Sequence, residues 1–79
     1  MLVYVLVKIA PGKEEETVSK ILENEKVKKV TEVLGPYDLV VEAEVVDEKE
    51  LEDVVIKHLR SIESVLETIT LISVRSKSK

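Results

Sequence analysis

Val30-Thr31-Glu32-Val33-Leu34-Gly35-Pro36-Tyr37-Asp38-Leu39-Val40-Val41-Glu42-Ala43-Glu44-Val45, in the middle of the chain, decides how the rest is read. Two runs rich in β-branched residues meet at Gly35-Pro36-Tyr37-Asp38, a cluster of turn-forming residues. The pattern predicts an antiparallel hairpin, with strands over Val27 to Leu34 and Asp38 to Val46. A tight two-residue loop would need positive φ at its first central position. Pro36 would stand there, and its ring holds φ near −65°. The loop is therefore expected to be wider or bulged, with some backbone N–H and C=O groups left unpaired. Such groups beside the Asp38 carboxylate and the Tyr37 phenol can hold a small polar ligand. The plainer reading is a turn and nothing more.

Working outward, Leu2 to Ala10 reads as a strand ended by Pro11-Gly12. Val3, Val5, Val7 and Ile9 fill one face and Leu2, Tyr4 and Leu6 the other, so both faces ask for cover. A helix is expected from about Lys13 to Asn24, with Val18, Ile21, Leu22 and the stem of Glu25 as its inner stripe. Glu14, Glu15 and Glu16 complement the positive end of its dipole. They do not make a metal site, because consecutive helical positions point about 100° apart. A second helix begins at Asp47, which with Glu50 forms a capping-box pattern. Leu51, Val54, Val55, Leu59 and Ile62 then recur at helical spacing. The last strand runs from Val65 to Val74. Residues 1–75 make one domain and 76–79 a polar tail.

The order β-α-β-β-α-β, with right-handed crossovers, places both helices on one face of a single antiparallel sheet. This is an α+β, ferredoxin-like sandwich. The sheet's other face is bare in a monomer although its first strand is apolar there, which predicts self-association.

Composition narrows the function. The chain has 79 residues, 44% hydrophobic and 35% charged, with a net charge of −4. An acidic chain without a basic face or interleaved aromatics is a poor nucleic-acid binder. With no cysteine, it can form no disulfide and offers no thiolate to metal or substrate. Neither a secretory leader nor a membrane span is legible, which points to the cytoplasm. The absence of Gln and the abundance of Lys, Glu, Val and Ile resemble a thermophile's composition.

Little here suggests catalysis. His58, the only histidine, falls within the second helix's apolar stripe. It reads as a packed helix-flank residue with a nitrogen bonded to water or backbone, since no Ser, Cys or second His partners it. No metal-ligand spacing and no phosphate-binding glycine loop are present, and no cofactor is expected.

The hairpin stretch Val30 to Val41, with its Gly-x-Tyr-Asp signature, resembles the effector-binding (RAM) domain of the Lrp/AsnC family of regulators. Tyr4 to Lys13 is similar to that family's first strand and turn, and Val65 to Ile72 to its last strand. The resemblance implies the ferredoxin-like fold, dimerisation through sheets, and closed rings of dimers that bind amino-acid effectors near the hairpin. Carried over residue by residue, it nominates Gly35, Tyr37, Asp38, Thr68 and Thr70 as ligand-binding residues. Asp38 suits an ammonium group. Loop N–H groups or threonine hydroxyls suit a carboxylate.

Pro36 departs from the family pattern by removing a loop N–H, and Glu63-Ser64 stands where Pro-Gly is usual. Full-length members carry a helix-turn-helix domain ahead of this one. The chain therefore resembles the stand-alone form, expected to sense an amino acid and to act on transcription without touching DNA. A full-length regulator of the family is its candidate partner. Two rival readings are a small dimeric α+β-barrel enzyme of the monooxygenase or isomerase type and a ligand-free structural oligomer.

Overall fold

A computed structural model describes all 79 residues. Strand β1 spans Leu2–Ile9, helix α1 Glu14–Ile21, β2 Val27–Glu32, β3 Leu39–Glu44, helix α2 Glu48–Glu52 and β4 Val65–Ile72. The four strands form one antiparallel sheet in the order β2-β3-β1-β4. This is the ferredoxin-like arrangement that the element order predicts. No helix is long and apolar enough to cross a membrane.

Strand β1 is central because its side chains serve both faces. Val3, Val5 and Val7 are fully buried and pack with Leu39, Val41 and Ala43 of β3 under the helices. Ile21, Val54, Val55, Leu59 and Ile62 close this core from the helical side. On the open face Leu2, Tyr4 and Leu6 are only half-buried. Cross-strand pairing sets Val40 beside Leu6, Leu71 beside Tyr4 and Ile69 beside Leu6. The result is an apolar stripe facing solvent, with Ile69 and Leu71 exposed.

Helix α1 is shorter than its sequence suggests, and its inner stripe is different. Ile21 of the expected stripe is fully buried and Val18 packs half-buried against the core, but Leu22 is 50% exposed and Glu25 is exposed. Thr17 is fully buried beside them. Its Oγ1 donates to the Lys13 carbonyl at 2.6 Å and also meets the Ser64 hydroxyl. With the one Thr17 proton committed, Ser64 supplies the donor to that second bond. A hydroxyl can replace an aliphatic residue here because both of its bonds are made inside the protein.

The second helix keeps its apolar stripe but not a regular pitch. Asp47 Oδ1 accepts from the Glu50 N–H at 2.9 Å, as the capping pattern predicts. The Glu50 carboxylate reaches back to the N–H of Val46 at 3.0 Å, one residue before the cap. After α2 the chain widens into π-helical turns at Asp53–His58 and tightens to a 3₁₀ turn at Leu59–Ser61. The Leu59 N–H is shared between the carbonyls of Val54 and Val55. Arg60 lies in this 3₁₀ turn, and its side chain reaches Thr68 of β4.

Candidate functional site

Gly35, Tyr37, Asp38 and Thr68 lie around the end of β1, on its two sides, and Thr70 stands beside its middle. The hairpin lies on one side. The β2 strand stops at Glu32 and β3 begins at Leu39, so both predicted strands are shortened at the turn. A bond from the Val33 N–H to the Asp38 carbonyl, 2.9 Å, closes a loop of Leu34, Gly35, Pro36 and Tyr37. The loop is wide, as Pro36 requires. Gly35 sits at φ +151°, which L side chains rarely adopt, and a Cβ there would meet nothing within 4 Å. Its glycine is explained by backbone conformation and not by close approach of a neighbour.

Asp38 has structural work. Its N–H donates to the Val7 carbonyl at 2.9 Å. Its Oδ2 accepts from the Ile9 N–H, also at 2.9 Å. The carboxylate thus takes the place of a main-chain carbonyl where the β1–β3 ladder runs out. The sequence reading offers Asp38 either to a ligand or to its own turn. The structure instead uses it to hold the neighbouring strand, which leaves only Oδ1 without a partner.

Tyr37 leaves the hairpin and crosses the end of β1. Its hydroxyl donates to Glu67 Oε2 on β4 at 2.7 Å. That bond, then loss of water around the phenol, then the proximity of the Glu67 charge raise its pKa above the ordinary value of 10.0.

On the other side of β1, Val7 pairs with Thr68 and Val5 with Thr70, so the two threonines point to the helical face. They stand two strand spacings from β3, roughly 9–10 Å. Thr68 Oγ1 accepts from Arg60 Nε at 3.2 Å. Thr70, one step further along that face, makes no side-chain hydrogen bond within the chain. Register slips at the start of β4: Lys8 pairs with Glu67 but Ile9 with Val65, leaving Leu66 as an extra residue. Such a bulge bends the strand and re-aims side chains. Arg60, Val65, Leu66, Glu67 and Thr68 line a shallow hollow of about 350 Å³ there.

Sequence reasoning therefore locates Tyr37 and Thr68 at the same end of the sheet but misses Arg60 and Glu67, which contact them. Glu67 is one residue from a nominated threonine. Arg60 depends on a change of helical pitch that periodicity does not reveal. His58 lies at the end of the π-helical turns, half-buried, and its buried Nδ1 has no partner among the protein's own groups. The expected bond from this ring to backbone is thus not made at Nδ1.

Solved structures and a family model place this geometry among known proteins. A protein of Thermus thermophilus is 33% identical and superposes with a TM-score of 0.91, over 99% of this chain and 98% of that one. One from Pyrococcus horikoshii is 31% identical with a TM-score of 0.85, over 95% and 90%. A transcriptional regulator from Neisseria meningitidis, solved as a complex with L-Met, shares the fold at 16% identity and a TM-score of 0.89. That match covers 99% of this chain but 52% of the regulator. A comparison with curated protein sequences gives no match. The family model described as the Lrp/AsnC ligand binding domain matches residues 2–79, and the chain belongs to that family.

Proposed function

We propose that this domain is an effector-binding and assembly module that takes a small amino acid at the end of β1, between the hairpin and the start of β4. The observation that carries this reading is the Tyr37–Glu67 bond. It joins the loop bearing the Gly-x-Tyr-Asp signature to the strand bearing Thr68, beside a hollow lined by both charged and apolar groups. In this reading Tyr37 and Thr68 touch the ligand. Gly35 and Asp38 hold the loop in place, and Thr70 extends the polar face along β4. The L-Met complex of the Neisseria relative supports an amino acid as the effector class.

Assembly follows from the open sheet face. The stripe of Leu2, Tyr4, Leu6, Val40, Ile69 and Leu71 favours a second copy, because covering apolar area contributes about 25 cal/mol per Å². Dimers would then meet near the hairpin ends to form rings, which shields the ligand from water. The acidic chain acts on transcription indirectly, through co-assembly with a full-length regulator of its own family. It does not work by catalysis.

Thermal unfolding of the assembled protein, with each proteinogenic amino acid in turn, tests the ligand reading. A concentration-dependent rise in midpoint for one or a few of them is expected. No rise with any would leave a ligand-free structural oligomer. Light scattering tests the assembly: only an 8.9 kDa species at micromolar concentration would remove it. A steeply salt-dependent shift of duplex DNA by the pure protein would overturn the indirect mode of action.

A further inference from the structure

The sheet has two free edges, β2 and β4, and they are finished differently. Strand β2 carries Lys28 and Lys29, and its register slips at Lys28, the extra residue between Val27 and Lys29. Lysines and bulges keep an edge from pairing with another chain. The bulge of β4, at Leu66, lies at its very start. From Thr68 to Val74 the chain reads Thr-Ile-Thr-Leu-Ile-Ser-Val, without a charge or a proline. Its register with β1 runs unbroken from the Lys8–Glu67 pair to the Val3–Ile72 pair. The Ser73 N–H extends it by donating to the Leu2 carbonyl opposite at 3.0 Å. In an antiparallel ladder, residues alternate between bonding across and turning their backbone groups away. Ser73 bonds across, so Leu71 and Ile69 do as well. The N–H and C=O groups of Thr68, Thr70 and Ile72 therefore point out from the sheet. No turn, loop or tail group of the chain bonds to them.

We infer that the β4 edge pairs with the β4 edge of a second copy, antiparallel about a two-fold axis at Leu71. The exposed backbone groups allow several registers, and the side chains choose among them. With Leu71 opposite its own copy, Thr70 meets Ile72, Thr68 meets Val74 and Glu67 meets Arg75, each pair occurring twice. Neither Glu67 nor Arg75 enters an ion pair within the chain. The Tyr37 hydroxyl occupies Glu67 Oε2 and leaves Oε1 unused. Strand alternation puts Glu67 and Arg75 on the same face of the sheet. They would meet at a non-hydrogen-bonded pair, where side chains come closest and opposite charges attract. Moving the axis by one residue leaves Glu67 opposite Ser73 in one direction and sets Arg75 opposite the apolar Ile69 in the other. The pairing also brings Leu71 of both copies together, which joins their open-face apolar stripes into one. It uses the edge and not the face, so it goes beyond the face contact proposed above and depends on no ligand.

Amide hydrogen exchange of the full chain, followed residue by residue over a range of protein concentration, tests this. In the assembly the Thr70 and Ile72 amides should exchange slowly, and dilution should speed them by roughly tenfold or more. The Ile69 and Leu71 amides, bonded to β1, should stay protected throughout. Thr70 and Ile72 amides that exchange as freely in the concentrated protein as in the dilute one overturn the pairing. Thr70→Pro removes an N–H that points away from β1, a place where an edge strand tolerates proline. It should lower the mass read by light scattering, and an unmoved mass overturns the edge contact. Arg75→Glu sets two like charges opposite each other and should also lower the mass. The swap of Glu67→Arg with Arg75→Glu should restore it, and a swap no better than Arg75→Glu alone overturns the register. Should a variant fail to fold, exchange in the unsubstituted protein still decides. Loss of the edge contact in an intact assembly leaves the face contact and the effector-binding reading standing.

Discussion

Asp38 and Glu67 flank the same end of β1, one on each side, and their carboxylates are used differently. Asp38 is built into the sheet: its Oδ2 holds the Ile9 N–H and its own N–H holds Val7. Glu67 is held only by the Tyr37 hydroxyl, on an exposed surface. The first caps a β-ladder that its partner strand cannot complete, and the second makes a single exposed contact with a side chain from across β1. The comparison teaches that the acid within a recognisable signature can serve the fold, while an acid outside it makes only one exposed contact.

The largest effect on stability is expected at Asp38. Replacing it with Ala leaves the Ile9 N–H without its acceptor at a part-buried position, which costs about 1–3 kcal/mol. In a domain of this size each kcal/mol lowers the melting midpoint by roughly 4–8 °C. Asp38→Asn keeps an acceptor oxygen and should lose less. Glu67→Ala should stay within about 1 kcal/mol, as exposed polar contacts do. Thermal unfolding of the three variants at one protein concentration checks the contrast, and equal losses for Asp38→Ala and Glu67→Ala would erase it.

Gly35 sharpens the hairpin side of the comparison. Because an added Cβ meets no atom within 4 Å, Gly35→Ala pays only for the backbone at φ +151°. That strain is of order 1–3 kcal/mol, and relaxation of an exposed loop should bring it to the lower end. The loop would shift, so the Tyr37–Glu67 bond should weaken along with stability. A variant that melts like the parent would mean that the loop tolerates other conformations and does not position Tyr37.

On the far side of β1, Arg60→Gln should change stability by no more than about 0.5 kcal/mol, the usual range for surface substitutions. The guanidinium makes one 3.2 Å hydrogen bond and no ion pair. A large loss at this position would mean that Arg60, like Asp38, belongs to the fold.

How much of this could be read beforehand depends on which physical rule was at work. The β-branched runs, the central turn signal and the right-handed crossover rule give the sheet, and the residues that share one face of β1 and of β3 are the ones that are buried. The apolar stripe of the second helix also survives, since Val54, Val55, Leu59 and Ile62 are all buried. Thr17 was illegible because its burial depends on Ser64, a residue distant in sequence that supplies a hydrogen bond. Arg60 was illegible because ideal helical spacing assigns directions that the π-helical and 3₁₀ turns alter. Asp38 is the instructive case: its residue type fits an ammonium, a turn or a strand end equally, and only the position of the Ile9 N–H decides among them.

The smallest effect concerns pH and isolates the Tyr37–Glu67 contact. In the folded protein the phenol's pKa is raised because ionisation would forfeit the hydrogen bond to Glu67 and set two negative charges side by side. Between the unfolded value of about 10 and the higher folded value, the folded state binds more protons than the unfolded one. Stability must therefore fall as pH rises through that window. The contribution is fully present below the unfolded pKa and is lost above the folded one, so neutral pH leaves it untouched. Ultraviolet titration of tyrosinate absorbance reads this directly, with Tyr37→Phe identifying which of the two tyrosines is responsible. Glu67→Ala removes both the acceptor and the charge and should lower the Tyr37 transition toward its ordinary value, while Asp38→Asn should leave it in place if the loop keeps its shape. A transition indifferent to Glu67→Ala would show that the two side chains are apart in solution, and would remove the bridge between the hairpin and β4.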